Sequence, residues 1–184
     1  AESSGLSKQQ IKQAMQKGAT WLTRAAKTER IRRSKKTLKT DDQLHLYYDT
    51  KVLAETPSPA HLIADEQAYS VWYKPYGMRS QGSKWGDHCT INRWSEQHLE
   101  PQRSAFIVHR LDRAASGLIL LAHQKRTARL LSELFEQRTI EKRYRVVVHG
   151  KMADDSQSLT INTPIEDRPA ISQVTNLEYD AKTN

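Results

Sequence analysis

The apolar residues of this chain come in short runs, and that limits the folds open to it. Ala105-Phe106-Ile107-Val108, Leu118-Ile119-Leu120-Leu121-Ala122 and Tyr144-Arg145-Val146-Val147-Val148 have the length of buried strands rather than of helices. None approaches the roughly 18 residues that cross a bilayer, so no membrane contact is expected. Tyr69-Ser70-Val71-Trp72-Tyr73 reads as a further strand, stopped by the turn-forming Lys74-Pro75-Tyr76-Gly77. An amphipathic helix is predicted over Thr127–Arg138, with Ala128, Leu131, Leu134 and Phe135 on one face. Residues 78–104 are polar and irregular, and read as loop with room for one short helix. Helices among hairpin-spaced strands predict a mixed α/β (α+β) body with a largely antiparallel sheet.

The first fifty residues read differently. Ser7 and Gln10 form the two halves of a helix capping box, with Leu6 and Ile11 placed as a hydrophobic staple. Gly18 is a natural stop for that helix. Short strands are predicted at Thr20-Trp21-Leu22 and over Gln43–Tyr48. Between them, residues 24–39 carry eight basic residues and one acidic residue, and read as a loop. The whole chain has 29 Lys and Arg against 21 Asp and Glu. Residues 1–39 hold 11 of the basic and 2 of the acidic residues, so the rest is nearly neutral. A cluster of like charges without acidic partners destabilises a compact state unless a polyanion relieves it. Arg24, Lys27, Arg30, Arg32, Arg33, Lys35 and Lys36 are therefore the candidate polyanion-binding residues, with affinity for a nucleic acid that falls steeply with salt. Thr56-Pro57-Ser58-Pro59 favours extended backbone and marks a linker. The expected organisation is a basic domain over 1–50, a linker over 51–60 and a second domain over 61–184. Movement about Pro57 and Pro59 is expected.

Cys89 is the single cysteine, so no internal disulfide forms, and a reducing, cytoplasmic location is expected. No secretory leader pattern is visible. His88-Cys89 lacks nearby partners for a metal, and no metal is expected. Trp72, Trp85 and Trp94 read as packing residues, and Trp21 as packed within the N-terminal segment. Asp154-Asp155 reads as a solvated turn.

His109-Arg110-Leu111-Asp112-Arg113-Ala114-Ala115-Ser116-Gly117 lies between two apolar strands, where a loop emerges from a sheet. On composition alone it reads as a turn with an Arg110–Asp112 surface ion pair. The wider pattern changes this. Lys74-Pro75-Tyr76-Gly77, then His109 through Ala122, then Glu141-Lys142-Arg143-Tyr144-Arg145-Val146-Val147-Val148-His149-Gly150 resembles, in order and interval, the RluA family of pseudouridine synthases. The N-terminal segment resembles the alpha-L RNA-binding module of a small-subunit ribosomal protein.

The resemblance implies an isomerase that converts uridine to pseudouridine in structured RNA, ribosomal RNA ahead of transfer RNA, without a cofactor. It implies Asp112 as the catalytic carboxylate. Arg110 would take the place of the displaced uridine, and Tyr144 would pack against its ring. Lys74 and Pro75 would support the active-site loop. A uridine must leave its stack before its ring is handled, at a cost of a few kcal/mol. A guanidinium plane and an aromatic ring offer replacement stacking, the ring about 1–3 kcal/mol per base. Attack on the ring, attack on the sugar and proton removal from the sugar are all open to Asp112.

Ala115 stands where many members carry threonine, which removes a hydroxyl from the loop. The family's catalytic domain also continues to a basic residue that pairs with its aspartate. The chain is therefore expected to lack its C-terminal part, with Ile161–Val174 as the approach to it, and to turn over weakly or not at all. A monomer is expected. The alternatives are a non-catalytic RNA-binding protein, which would use only the N-terminal cations, and a metal-dependent nuclease, which the scattered acidic residues do not support.

Overall fold

A computed structural model describes residues 4–150 and 158–178. They form two compact units, one ending at Glu141 and one starting at Lys142.

The first unit opens with α1 (Lys8–Gln16). Its capping box is present: the Ser7 hydroxyl accepts the Gln10 N–H at 3.2 Å, and Gln10 Oε1 accepts the Ser7 N–H at 2.9 Å. Gly18 ends the helix at φ +85°, with its N–H on Met15 O at 3.0 Å. A Cβ there would sit 2.3 Å from an Asp87 carboxylate oxygen, so glycine is required for the approach as well as for the turn. Strands β1 (Thr20–Arg24), β2 (Lys27–Arg30) and β3 (Gln43–Leu46) follow, in an antiparallel sheet of order β2-β1-β3.

Strand β2 departs from the loop expected over 24–39. Its residues alternate across a tight hairpin, and each finds a partner on β1. Arg30 lies opposite Trp21, with its guanidinium 4.4 Å from the indole centroid, and the Thr23 and Thr28 hydroxyls meet at 2.8 Å. A charge run read by composition hides this pairing.

The stretch read as a linker starts with α2 (Thr50–Ala54), capped by Asp49, whose carboxylate accepts the N–H groups of Lys51 and Val52. Lys17 Nζ donates to Leu53 O at 2.6 Å, and Glu55 pairs with Arg79. Further on, the Trp21 indole donates to Lys84 O at 3.0 Å, and Arg30 and Arg32 share the carboxylate of Asp87. Residues 4–54 and 79–87 are thus joined by charge-assisted hydrogen bonds in this structure. Burial pushes the Asp87 carboxyl up, but the two guanidiniums outweigh it and hold it below its usual range.

Strands β4 (His61–Asp65), β5 (Tyr69–Lys74), β6 (Phe106–Ile107) and β7 (Gly117–Ala122) form the second sheet, all antiparallel, in the order β4-β5-β7-β6. Along β5 the alternation turns Ser70, Trp72 and Lys74 inward, and Ile119 and Leu121 do the same on β7. Helix α3 (Ile91–His98), capped by Thr90, brings Ile91 onto Trp72, Met78, Leu99, Leu111, Ile119 and Leu121 to complete the core. Helix α4 (Lys125–Glu136) packs beside β6 and β7, close to its predicted bounds.

A buried polar chain ties this sheet to the loop before β6. The Trp72 indole donates to Ser70 Oγ, which donates to His123 Nε2, while His123 Nδ1–H donates to Ser104 O, each at 2.8 Å. In this arrangement the imidazole is neutral, its Nε2 accepting the one proton the serine has to give. Burial pushes the pKa of His123 below 6.5, aided by Arg103 and opposed by the Ser104 bond and Asp65. Burial does the same to His88. Such groups bind protons more readily in the unfolded chain, so their contribution is full above about pH 6.5 and is lost on acidification. Thermal melts are expected to show the midpoint falling as pH drops from 7.5 to 5.5; an unchanged midpoint would remove this role.

In the second unit, β8 (Leu159–Ile161) and β9 (Ser172–Val174) pair as an antiparallel hairpin, closed at its tip by reciprocal hydrogen bonds between Ile165 and Arg168. Glu166 and Asp167 both take positive φ there, as a tight hairpin turn demands. The strand predicted over Tyr144–Val148 is absent among the described residues: the stretch is irregular and exposed. Its apolar side chains suit a strand, but no ladder partner meets them. Asp154-Asp155 lies outside the described residues.

Candidate active site

The loop from β6 to β7 is fixed from beneath at four places. His109 Nε2 accepts the Leu120 N–H at 2.9 Å, and its ring stacks on Phe135 of α4 with centroids 4.2 Å apart. Leu111 is buried in the core. Its N–H donates to Ser80 Oγ at 3.0 Å, and the same hydroxyl donates to Leu111 O at 2.6 Å. One serine thus satisfies both backbone groups of the residue that pins the loop. Gly77 donates its N–H to Arg113 O at 2.8 Å, and Arg113 Nε donates to Gly77 O at 3.1 Å.

The fourth anchor is Lys74, the last inward residue of β5 and fully buried. Its ammonium donates to Pro75 O at 3.2 Å, Met78 O at 2.8 Å and Ala115 O at 2.6 Å. Three donors meet three carbonyls, so the group is satisfied without an acidic contact. Burial lowers its pKa, and the charge of Asp112 opposes that shift. The turn that brings Pro75 O and Met78 O back over Lys74 needs Gly77 at φ +82°.

The result is a rigid loop with an open rim. Leu111 points into the core, while its neighbours Arg110 and Asp112 are both exposed. Among the described residues no ion pair joins Arg110 to Asp112. The surface ion pair allowed by composition is therefore not the arrangement. Tyr144 belongs to the second unit and is 64% exposed there.

Glu55 adds a support that the sequence did not signal, since it falls in the stretch read as linker. It accepts from both terminal nitrogens of Arg79 and lies 3.5 Å from Arg113, the residue after Asp112. The Arg79 hydrogen bonds hold the Glu55 carboxyl below its usual range, against the effect of burial. Ser80 was missed likewise, being one hydroxyl within the polar stretch 78–104.

The basic residues of the N-terminal segment are more paired than their density implied. Arg24 makes a bidentate pair with Asp42, at 2.8 and 2.6 Å, and those hydrogen bonds bring the Asp42 carboxyl down to about 2. Arg30 and Arg32 meet at Asp87, and Lys36 pairs with Glu29 at 2.9 Å. Lys27, Arg33 and Lys35 are exposed. The structure therefore brings Arg30 and Arg32 together on one carboxylate.

An α/β body that offers a carboxylate and a guanidinium on a loop fixed to its sheet is a scaffold for handling a polar ring from outside. The chain belongs to the RNA pseudouridylate synthase family, whose model matches residues 68–184. It is similar to an RNA pseudouridine synthase of Mycoplasma pneumoniae described as uncharacterized, 27% identical over 133 residues, covering 68% of this chain and 42% of the relative. It is also similar to the tRNA pseudouridine synthase C of Haemophilus ducreyi, 40% identical over 86 residues, 46% of this chain and 35% of the relative. The ribosomal large subunit pseudouridine synthase C of Rickettsia bellii is 30% identical over 112 residues, 60% of this chain and 36% of the relative. The chain spans less than half the length of the curated relatives it matches.

Proposed function

We propose that this chain carries the catalytic loop of an RNA pseudouridine synthase. The observation behind the reading is the exposed Asp112 carboxylate on a loop whose backbone is held by Lys74, Ser80 and Leu111. A positioned carboxylate facing solvent has room for a base flipped out of RNA. Arg110, beside it and exposed, fills the gap left in the stack, and Tyr144 packs on the target ring.

The reaction breaks the bond from uracil N1 to ribose C1′ and forms one from C5 to C1′. The C5 proton is lost and N1 gains one, so the step is redox-neutral and balanced without a co-substrate. Asp112 serves as nucleophile or base in it.

The organisation that accompanies this reading is an alpha-L-like RNA-binding segment over 1–50, a connection over 51–60 and the synthase domain over 61–184. The exposed cations Lys27, Arg33 and Lys35 support RNA contact there. Their density favours a large structured RNA, ribosomal rather than transfer RNA.

Tritium at uracil C5 tests the chemistry, because that hydrogen must leave when C5 becomes the glycosidic carbon. With the chain in excess over RNA, so that weak turnover is enough to register, RNA labelled at C5 is expected to release tritium to water slowly, one equivalent for each pseudouridine formed. Retention of all label, with RNA bound, would leave a non-catalytic RNA-binding protein instead.

A further inference from the structure

A groove of about 550 Å³ lies on the first unit, and none of the residues that hold the Asp112 loop lines it. Gln16 from the end of α1, Arg32 and Arg33 from the segment after β2, and Arg93 and Gln97 from α3 line it. Every one of these side chains presents N–H donors, and no carboxylate is among them. The nearby acids cancel only part of the charge. Asp87 is shared by two guanidiniums, Arg30 and Arg32, so one positive charge is in excess there. Glu96 pairs with Arg93 at 2.9 Å, and Arg33 is exposed.

We infer that this groove is a seat for the phosphodiester backbone of RNA, formed jointly by the N-terminal segment and helix α3 of the synthase body. The inference rests on the reading of the chain as an RNA-modifying protein and adds where part of the RNA lies. Guanidiniums recognise phosphate by paired N–H groups, and carboxamides add neutral donors that tolerate any sequence. Such donors, with no aromatic side chain among the lining residues, fit a backbone rather than a base. Docking of residues 4–54 through Asp87 has a function in this view. It fixes Arg32 and Arg33 opposite Arg93, so one strand of RNA contacts both parts at once.

Gln97→Glu and Arg93→Ala test the seat, each chosen because its position is exposed or half-buried and tolerates the change. Binding of a fluorescein-labelled stem-loop RNA by the full chain is measured across a salt series. Each variant is expected to bind roughly 5- to 10-fold more weakly at 0.1 M salt, and Arg93→Ala to lower the slope of log affinity against log salt by about 0.7–0.9. Arg129→Ala, which removes a charge from α4, is expected to bind as the parent does. Parental affinity and slope in both groove variants, with folding confirmed by circular dichroism, would overturn the seat. An equal loss in Arg129→Ala would overturn it too, since only general charge would then be at work. Tritium release separates this from the catalytic reading: weakened binding in the groove variants with no release by the parent keeps the groove and removes the isomerase.

Discussion

Asp112→Asn is expected to bind RNA within about twofold of the parent and to lose isomerisation by at least about 10³-fold, or roughly 4 kcal/mol of barrier. The side chain is exposed and is not part of any ion pair among the described residues. The amide keeps shape and polarity and removes only the ability to attack or to take a proton. Stability should scarcely move, because an exposed polar replacement leaves no buried group unsatisfied. The account therefore predicts a folded, RNA-binding, inactive protein. Pseudouridine formation at the parental rate would remove Asp112 from the chemistry.

Lys74→Met is expected to act through structure. Methionine fills the space of the stem, but three carbonyls lose their donor at once: those of Pro75, Met78 and Ala115. Each buried, unsatisfied acceptor costs about 1–3 kcal/mol, so a total loss on the order of 3 kcal/mol follows if water reaches some of them. Chemical denaturation of parent and variant measures it. The Ala115 carbonyl lies three residues beyond Asp112, so the loop loosens where the carboxylate must be placed, and turnover falls as well. The two variants are thereby distinguishable. Asp112→Asn changes rate without stability, whereas Lys74→Met changes both. A Lys74→Met protein of parental stability would show that the ammonium does not fasten the loop.

Much of the body was legible in the sequence because its signals are local. The capping box at Ser7 and Gln10, the turn at Lys74–Gly77 and the apolar runs at Tyr69–Tyr73 and Leu118–Ala122 each specify their own conformation. What was not legible depends on partners that local composition does not show. Strand β2 hides in a charge run because Trp21 and Thr23 supply what composition does not show. The docking of the N-terminal segment rests on Asp87, a single acid 55 residues from Arg32. Ser80 and Glu55 hold the Asp112 loop from segments read as loop and linker. At Tyr144–Val148 the local signal was strong, yet no strand forms there among the described residues, since β-structure needs a second strand to bond with.

The site shows the same division. Asp112 and Arg110 stood out through a motif, whereas what makes them usable is the buried Leu111 between them and the ammonium beneath. Exposure of the acid could not be read from its neighbours in sequence, because Arg110 was equally suited to pair with it.

The most direct measurement is nucleoside analysis of an RNA digest after incubation with the parent and with Asp112→Asn. The account predicts that the parent, in excess over RNA, converts uridine slowly but one for one into its C5-linked isomer, at intact chain length, and that the variant does not. Conversion by both proteins, or cleaved RNA in place of the isomer, would contradict it.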